Sequence, residues 1–359
     1  MKLTTYLLCA TAGTAVAYPG MGNLMAELSK RAAAAPADPT IEMIGDLVQG
    51  ATTPVGKEVK DCLLGNQACQ NLTPKSYVAP KLYSLSCWQD TCCVWDYVQA
   101  DLVKMFTNSD GTCNALARQA VRLGFHDAAA WSKTSGPGGA DGSLVLSWDE
   151  INRSENKGMQ EIRLKALGLL TKYALWGVGG ADLVQFMHNV ATVVCPLGPR
   201  VLTFVGRPNR FTSDPTGLIP DTHSPASVLI DLFQNKTINF KDLIALIGAH
   251  TTAQQFFVDP SKAGQPLDST PGVWDVKFYS ETLAASPPAG VFRLPSDQSL
   301  VSDPETHTGF TVFSNPTNGQ QIWNAAYATA YVRLSLLGVN NINKLTDCTK
   351  VLPNPITSF

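Results

Sequence analysis

The sequence predicts a mainly α fold in two helical halves, and three observations carry that prediction. Apolar residues recur at spacings of three and four from Tyr83 onward. Alternating Val/Ile/Thr runs long enough for a sheet are scarce. Between the periodic segments lie long loops dense in Gly, Pro, Asp and Ser, notably 131–143 and 258–275. Loops of that length carry function or need a staple.

Taken in order, residues 1–17 read as a secretory signal peptide. Lys2 precedes an apolar run too short to span a bilayer, which closes in Ala15-Val16-Ala17. Lys30-Arg31 then resembles a dibasic processing point that bounds a propeptide over 18–31. Residues 32–82, rich in Ala, Pro, Thr and Val, form an N-terminal extension with a helix expected over 41–49. Val94, Trp95, Val98 and Leu102 mark one helical face, and Leu116, Ala120 and Leu123 a second. Ile162, Leu164, Leu167 and Leu170 mark a third. Further helices are expected over 181–194, 225–233, 240–254, 276–282 and 320–337. The Pro/Asn/Asp-rich segment 206–224 is the expected joint, dividing a half over 83–205 from one over 206–359.

With 359 residues, 45% of them hydrophobic and 16% charged, the chain has material for a large core, which excludes intrinsic disorder. Lys+Arg 27 against Asp+Glu 29 leaves a net charge of −2, so no basic field recruits nucleic acid or an anionic membrane. Of nine cysteines, Cys9 falls in the signal. The other eight, Cys62, Cys69, Cys87, Cys92, Cys93, Cys113, Cys195 and Cys348, are an even set, which in an exported chain favours four disulfides over metal ligation. The adjacent Cys92 and Cys93 need different partners. Sequons at Asn71, Asn152 and Asn235 permit glycosylation.

Four constellations can carry chemistry. In Arg122-Leu123-Gly124-Phe125-His126-Asp127, the i, i+4 spacing puts Arg122 and His126 on one helix face, a base beside a fixed cation. The commoner reading of an isolated Arg-x-x-x-His is a surface arginine and a hydrogen-bonded histidine. The apolar run 243–249 delivers His250 at its end. A satisfied core histidine is the default there, but an imidazole emerging from apolar walls also suits a metal or haem iron, with Asp297 a candidate acceptor for its other N–H. The loop Gly139-Ala140-Asp141-Gly142-Ser143 closely follows Asp127, and Asp268-Ser269-Thr270-Pro271-Gly272-Val273-Trp274-Asp275 follows Thr251. Each alone reads as an ordinary Asp/Gly turn. Each also supplies the oxygen ligands that Ca²⁺ takes, and each follows one of the two histidines.

Together these four motifs and Leu345-Thr346-Asp347-Cys348 resemble the secreted fungal class II haem peroxidases of the plant-type superfamily, over about residues 83–352. The resemblance implies a mainly α two-domain fold with non-covalent haem b between a distal half, 83–205, and a proximal half, 206–359. It implies His250 as iron ligand with Asp297 accepting its Nδ1–H, His126 as base and then acid toward H₂O₂, and Arg122 as stabiliser of charge while the O–O bond breaks. Phe125 would pack over the haem, and Asn156 would orient the His126 imidazole. One Ca²⁺ would be held by Asp127, Gly139, Asp141 and Ser143, a second by Thr251, Asp268, Thr270, Val273 and Asp275. The implied bridges are Cys113–Cys195, Cys92–Cys348 and Cys87–Cys93, with Cys62–Cys69 left as an extra one in the extension.

Departures from the family pattern narrow the substrate. Positions that hold manganese-binding acids in some members are Ala115, Gln119 and Phe256 here, and a surface-exchange tryptophan is replaced by Ala245. Leu267 replaces the proximal aromatic. Trp131 reads first as a packed loop aromatic, with a lining of the haem entrance or another radical site as the alternatives; His188 and His223 read as structural or as neighbours of the haem propionates. The resulting expectation is a secreted, monomeric haem peroxidase that oxidises small phenols or aromatic amines in one-electron steps. Three alternatives stay open: a ligninolytic enzyme with an unidentified surface Trp or Tyr, a haem-thiolate enzyme using Cys195, and a catalytically silent calcium-binding module.

Overall fold

Side-chain caps set where several helices begin in the structure, a computed structural model that describes residues 41–359. The expected signal peptide and propeptide lie outside the described residues. Thr53 caps α1 (Pro54–Leu63) by accepting from Gly56 N, with proline at the first helical position. After the short α2 (Leu85–Trp88) and α3 (Cys93–Phe106), Asn114 caps α4 (Ala115–Ala128), accepting from Leu116 N at 2.9 Å and Ala117 N at 3.2 Å. α5 (Ser143–Leu146), α6 (Gln160–Lys172) and α7 (Gly180–Val194) complete the first half. Every residue of α7 is buried, the polar Asp182, Gln185, His188, Asn189 and Thr192 included, and α4 packs against it.

In the second half, α8 (Ala226–Gln234) leads to α9 (Phe240–Ile247), capped by Asn239, which accepts from Asp242 N at 2.9 Å. Then come α10 (Lys277–Leu283), α11 (Pro295–Ser302), α12 (His307–Phe313) and α13 (Gly319–Leu334), with α13 packed on α9. The only sheet among the described residues pairs β1 (Phe204–Val205) with β2 (Thr346–Asp347), antiparallel. The mainly α expectation holds. No helix among the described residues is long and apolar enough to cross a membrane.

Two helix expectations need correction. Over 41–49 only a 3₁₀ turn forms, Gly45–Val48, because Gly45 adopts φ +53° and lies hard against the Val339 carbonyl. Over 240–254 the α-helix stops at Ile247, and Gly248–Thr252 tightens into a 3₁₀ turn that carries His250. A Cβ on Gly248 would lie 2.3 Å from the Tyr279 hydroxyl and 2.5 Å from Trp323. Close packing against those rings, rather than helix propensity, sets the geometry of the turn.

The described part of the extension is bound into the core. Ile44, Leu47, Val59 and Leu63 are buried. The Asp46 carboxylate accepts from Ile342 N at 2.7 Å and Asn343 N at 3.2 Å, and Arg333 donates to the Glu42 carbonyl at 2.8 Å. Disulfides join Cys62–Cys69, Cys87–Cys93, Cys92–Cys348 and Cys113–Cys195. The third spans 256 residues and ties the start of α3 to the end of the chain.

Candidate active site

α4 places Arg122 and His126 one turn apart, and the Arg122 Nε–H donates to His126 Nε2 at 3.2 Å. On the other side of the ring, Asn156 Oδ1 lies 2.9 Å from Nδ1. The amide is oriented by its own Nδ2, which donates to the Glu150 carbonyl at 2.8 Å. His126 therefore carries its proton on Nδ1 and presents a lone pair at Nε2. Burial, reinforced by the Arg122 cation and opposed by the Asn156 bond, holds its pKa well below the usual imidazole value. Burial lowers Arg122 to about 10, which leaves it charged at neutral pH. Its two terminal nitrogens donate to Lys157 O at 2.6 Å and Glu155 O at 2.7 Å, so the guanidinium is fixed from both sides. Phe125 meets His126 edge-on at 5.6 Å and stacks toward Phe233 at 6.2 Å.

His250 sits in a different setting. Its Nδ1 lies 3.1 Å from Asp297 Oδ2. Asp297 is 1% exposed and occupies the first turn of α11, where the helix dipole favours a carboxylate. A carboxylate acceptor puts the proton on Nδ1 and frees Nε2, and the imidazole is 33% exposed although the helix delivering it is buried. This is the donor arrangement that metal-binding histidines use, an imidazole oriented by an anionic partner. Phe278 stands edge-on to the ring at 5.6 Å and 89°. No local pattern signals that contact, since Phe278 belongs to α10 and its spacing marks only a core face. Leu267 is buried.

Asp127 is fully buried, and its carboxylate accepts from Gly142 N at 3.1 Å and Leu144 N at 3.2 Å, which folds the 139–144 loop against the end of α4. Gly139 O and Asp141 Oδ1 are engaged by backbone amides of the same loop, and the buried Ser143 Oγ has no partner. Burial, then the charges of Asp141, Glu150 and Asp214, push Asp127 well above the carboxylate range; burial likewise raises Asp141. An orphaned hydroxyl among buried, repelling carboxylates fits a hard cation. Glu150 and Asp214 were not singled out in the sequence. Asp214 Oδ2 accepts from Gly139 N at 2.8 Å, and Asp214 itself donates its N–H to Glu150 Oε2 at 2.9 Å.

Near His250, the Thr251 hydroxyl donates to Asp268 and approaches the Val273 carbonyl at 3.4 Å, while Thr270 Oγ1 donates to Asp275 Oδ2 at 2.8 Å. Burial, as the largest cause, pushes Asp268 up to about 8 and raises Asp275. The five residues expected to share this second site thus lie in one bonded cluster. Among the described residues no three His, Cys, Asp or Glu side chains form a metal-binding group, so both clusters depend on hydroxyl and carbonyl oxygens as well as carboxylates.

Elsewhere the expected departures are visible. Gln119 donates its amide to Glu161 at 3.3 Å, and Phe256 is largely exposed. Trp131 packs against the core, and His188 is fully buried. Phe257 is 56% exposed and lies over Gly158, whose φ of +89° brings that backbone between the Phe257 ring and Arg122 Nη1. Cys195 is bonded to Cys113, so it offers no thiolate, which removes the haem-thiolate alternative.

A family profile described as "Peroxidase" matches residues 98–315. The chain is 32% identical to "Ligninase C" of Trametes versicolor over 290 residues, 74% of this chain and 76% of the relative. It is 31% identical to "Peroxidase" of Arthromyces ramosus over 291 residues, covering 74% and 77%. To "Manganese peroxidase H4" of Phanerodontia chrysosporium it is 31% identical over 292 residues, 74% of each. The site geometry and these matches converge: the chain belongs to the peroxidase family, in its fungal class II branch, and is a hydrogen-peroxide-dependent oxidoreductase.

Proposed function

We propose that this enzyme works outside the cell as a monomer, binds one haem b between His126 and His250 and two Ca²⁺ ions beside them, and oxidises small phenols or aromatic amines. One observation carries the reading. Two imidazoles have their Nδ1 protons fixed by different partners, so each offers Nε2 as an acceptor: that of His126 takes a hydrogen bond from the Arg122 cation, and that of His250 is backed, through Nδ1, by a buried carboxylate.

The residues present fit the haem. His250 Nε2 would ligate the iron, and the Asp297 carboxylate gives that imidazole anionic character. His126 Nε2 takes a proton from H₂O₂ and returns it to the departing oxygen, which leaves as water. Its depressed pKa keeps it unprotonated for the first transfer, and Asn156 holds the ring while the charge passes through it. Arg122, charged and anchored to two carbonyls, offsets the negative charge that develops as the O–O bond breaks. A haem held there would supply the two electrons that peroxide takes up, to be replaced one at a time by two aromatic donors. The exposed Phe257 ring, close to Arg122, offers those donors a face to stack on.

Asp127, Gly139, Asp141 and Ser143 would hold one Ca²⁺, and Thr251, Asp268, Thr270, Val273 and Asp275 the other. Asp127 and Thr251 adjoin the two histidines in sequence, so each ion fixes the end of the segment that carries one of them. Stopped-flow mixing with H₂O₂ tests the proposal. His126→Leu is expected to keep the Soret band and slow the peroxide reaction by about 10²–10⁴-fold. A rate within twofold of the parent protein would refute the role given to His126.

A further inference from the structure

Behind His250 the core holds a continuous run of aromatic rings, bridged by Phe278 and oxidisable from Tyr279 onward. Phe278, edge-on to the imidazole at 5.6 Å, is 5.4 Å from Tyr279, which is 5.6 Å from Trp323. Trp323 stacks on Trp274 at 5.0 Å, and both reach Tyr327, at 6.0 and 4.7 Å respectively. Tyr279, Trp274, Trp323 and Tyr327 are all at most 1% exposed. Rings this close exchange electrons readily, so an oxidising equivalent generated beside His250 can travel along them.

Where it stops depends on the proton. An oxidised phenol or indole is a strong acid and becomes a persistent radical only if a base takes its proton. Tyr279 donates to the Ile244 carbonyl at 2.7 Å and Trp323 to the Ala245 carbonyl at 2.8 Å, and a carbonyl is no such base. Trp274 Nε1 has no hydrogen-bond partner. The Tyr327 hydroxyl alone in this run faces an imidazole, His188 Nε2, at 2.9 Å.

The bonds around His188 settle its tautomer. Thr203 donates its hydroxyl to the Val201 carbonyl at 2.8 Å, so it must accept from Asn189 Nδ2, 2.7 Å away. Asn189 Oδ1 therefore faces His188 Nδ1, at 3.0 Å, and the ring proton lies on Nδ1. Nε2 is the lone pair that accepts from Tyr327. Burial lowers the His188 pKa to about 3, which keeps the ring neutral and ready to accept.

We propose that Tyr327 and His188 form a second redox site, an internal one-electron donor to the peroxide-oxidised centre beside His250 when no external aromatic donor is at hand. An electron leaves Tyr327 through Trp323, directly or by way of Trp274, and then Tyr279 and Phe278, and the centre is reduced by one equivalent. The Tyr327 O–H bond breaks and its proton passes to His188 Nε2, leaving a neutral tyrosyl radical beside an imidazolium whose Nδ1–H is held by Asn189. One electron from a phenolic donor and return of the same proton restore the pair. The inference rests on the haem reading above, because that supplies the oxidised centre.

The test mixes the full-length, haem-loaded protein with one equivalent of H₂O₂, without donor, and freeze-quenches it for electron paramagnetic resonance. A tyrosyl signal is expected. It should fall at least tenfold in Tyr327→Phe, weaken in His188→Gln, and persist in Tyr331→Phe, whose hydroxyl bonds the Gln185 amide oxygen. In parent protein exchanged into D₂O, the radical should couple to one hydrogen-bonded deuteron. No tyrosyl signal, a signal undiminished in Tyr327→Phe, or no deuteron coupling would overturn the inference. A protein with a Soret band and normal phenol oxidation but no tyrosyl signal sinks this inference alone. A protein with no Soret band sinks the haem reading as well.

Discussion

At His126 and His250 the side chain that bonds Nδ1 decides what Nε2 can do. Asn156 gives His126 a neutral partner, so Nε2 stays a base that can lose its acquired proton; Asp297 gives His250 an anionic one, so Nε2 is a strong metal donor. Replacing Asn156 by Leu removes the acceptor and leaves Nδ1–H unpaired in a buried site. The peroxide reaction should slow by about 10-fold or more, with the spectrum of the resting enzyme kept, and stopped-flow rates check this. His188 gives a prediction about stability. Its folded pKa of about 3 lies below the imidazole value of 6.5, so only the unfolded chain takes up this proton between those limits. Its contribution to stability is intact above about pH 6.5 and declines as pH falls toward 3, by at most about 1.4 kcal/mol per pH unit. Urea melts at pH 7 and pH 5 should differ less in His188→Gln than in the parent protein. Contiguous motifs made Arg122, His126 and His250 legible in the sequence. Asn156 and Asp297 took their roles from the family resemblance, since neither spacing predicts a contact. The Tyr327–His188 bond joins residues 139 apart, and no local pattern encodes it.

Among the elements, the 3₁₀ turn after α9 is the feature that periodicity missed. Leu243, Ile244 and Leu246 announce a helix, but Gly248 ends it by packing against Tyr279 and Trp323 from α10 and α13, which only the folded chain brings near. Gly248→Ala should therefore displace the His250 turn and cost about 1–3 kcal/mol through overpacking. A lowered melting temperature together with reduced haem retention checks this; unchanged values for both would contradict it. α1 was missed for a different reason: its Thr53-Pro54 start signal was present but lay within a segment read as an extension. The two oxygen-rich loops could be read as candidate cation sites because each follows a histidine, whereas the roles of Glu150 and Asp214 beside the first loop could not, because neither belongs to the loop. Chelation of Ca²⁺ should lower turnover and shift the haem spectrum toward a six-coordinate form. Unchanged turnover and spectrum after verified calcium removal would refute the sites.

Over the whole molecule, long-range ties hold the start of the described chain to its far end. Cys92–Cys348 closes 256 residues, whereas Cys62–Cys69 closes 7. Replacing the long bridge by alanines should cost about 3–5 kcal/mol and the short one about 2 kcal/mol, read from the two denaturation midpoints. Equal losses would contradict the loop-closure account. Helical class was legible from spacing alone, but α1, α11 and α12 were not expected; nor was the anchoring of residues 41–82, because Asp46 and Glu42 bond partners near the other end of the chain. The proposed chemistry requires that His250 bind iron and that His126 be free to serve peroxide. The most direct measurement is the ferric and ferrous-CO absorption spectrum of the purified protein beside that of His250→Ala. A histidine-ligated haem spectrum that is lost or displaced in the variant is the expected result, and a spectrum indifferent to that substitution would contradict the account.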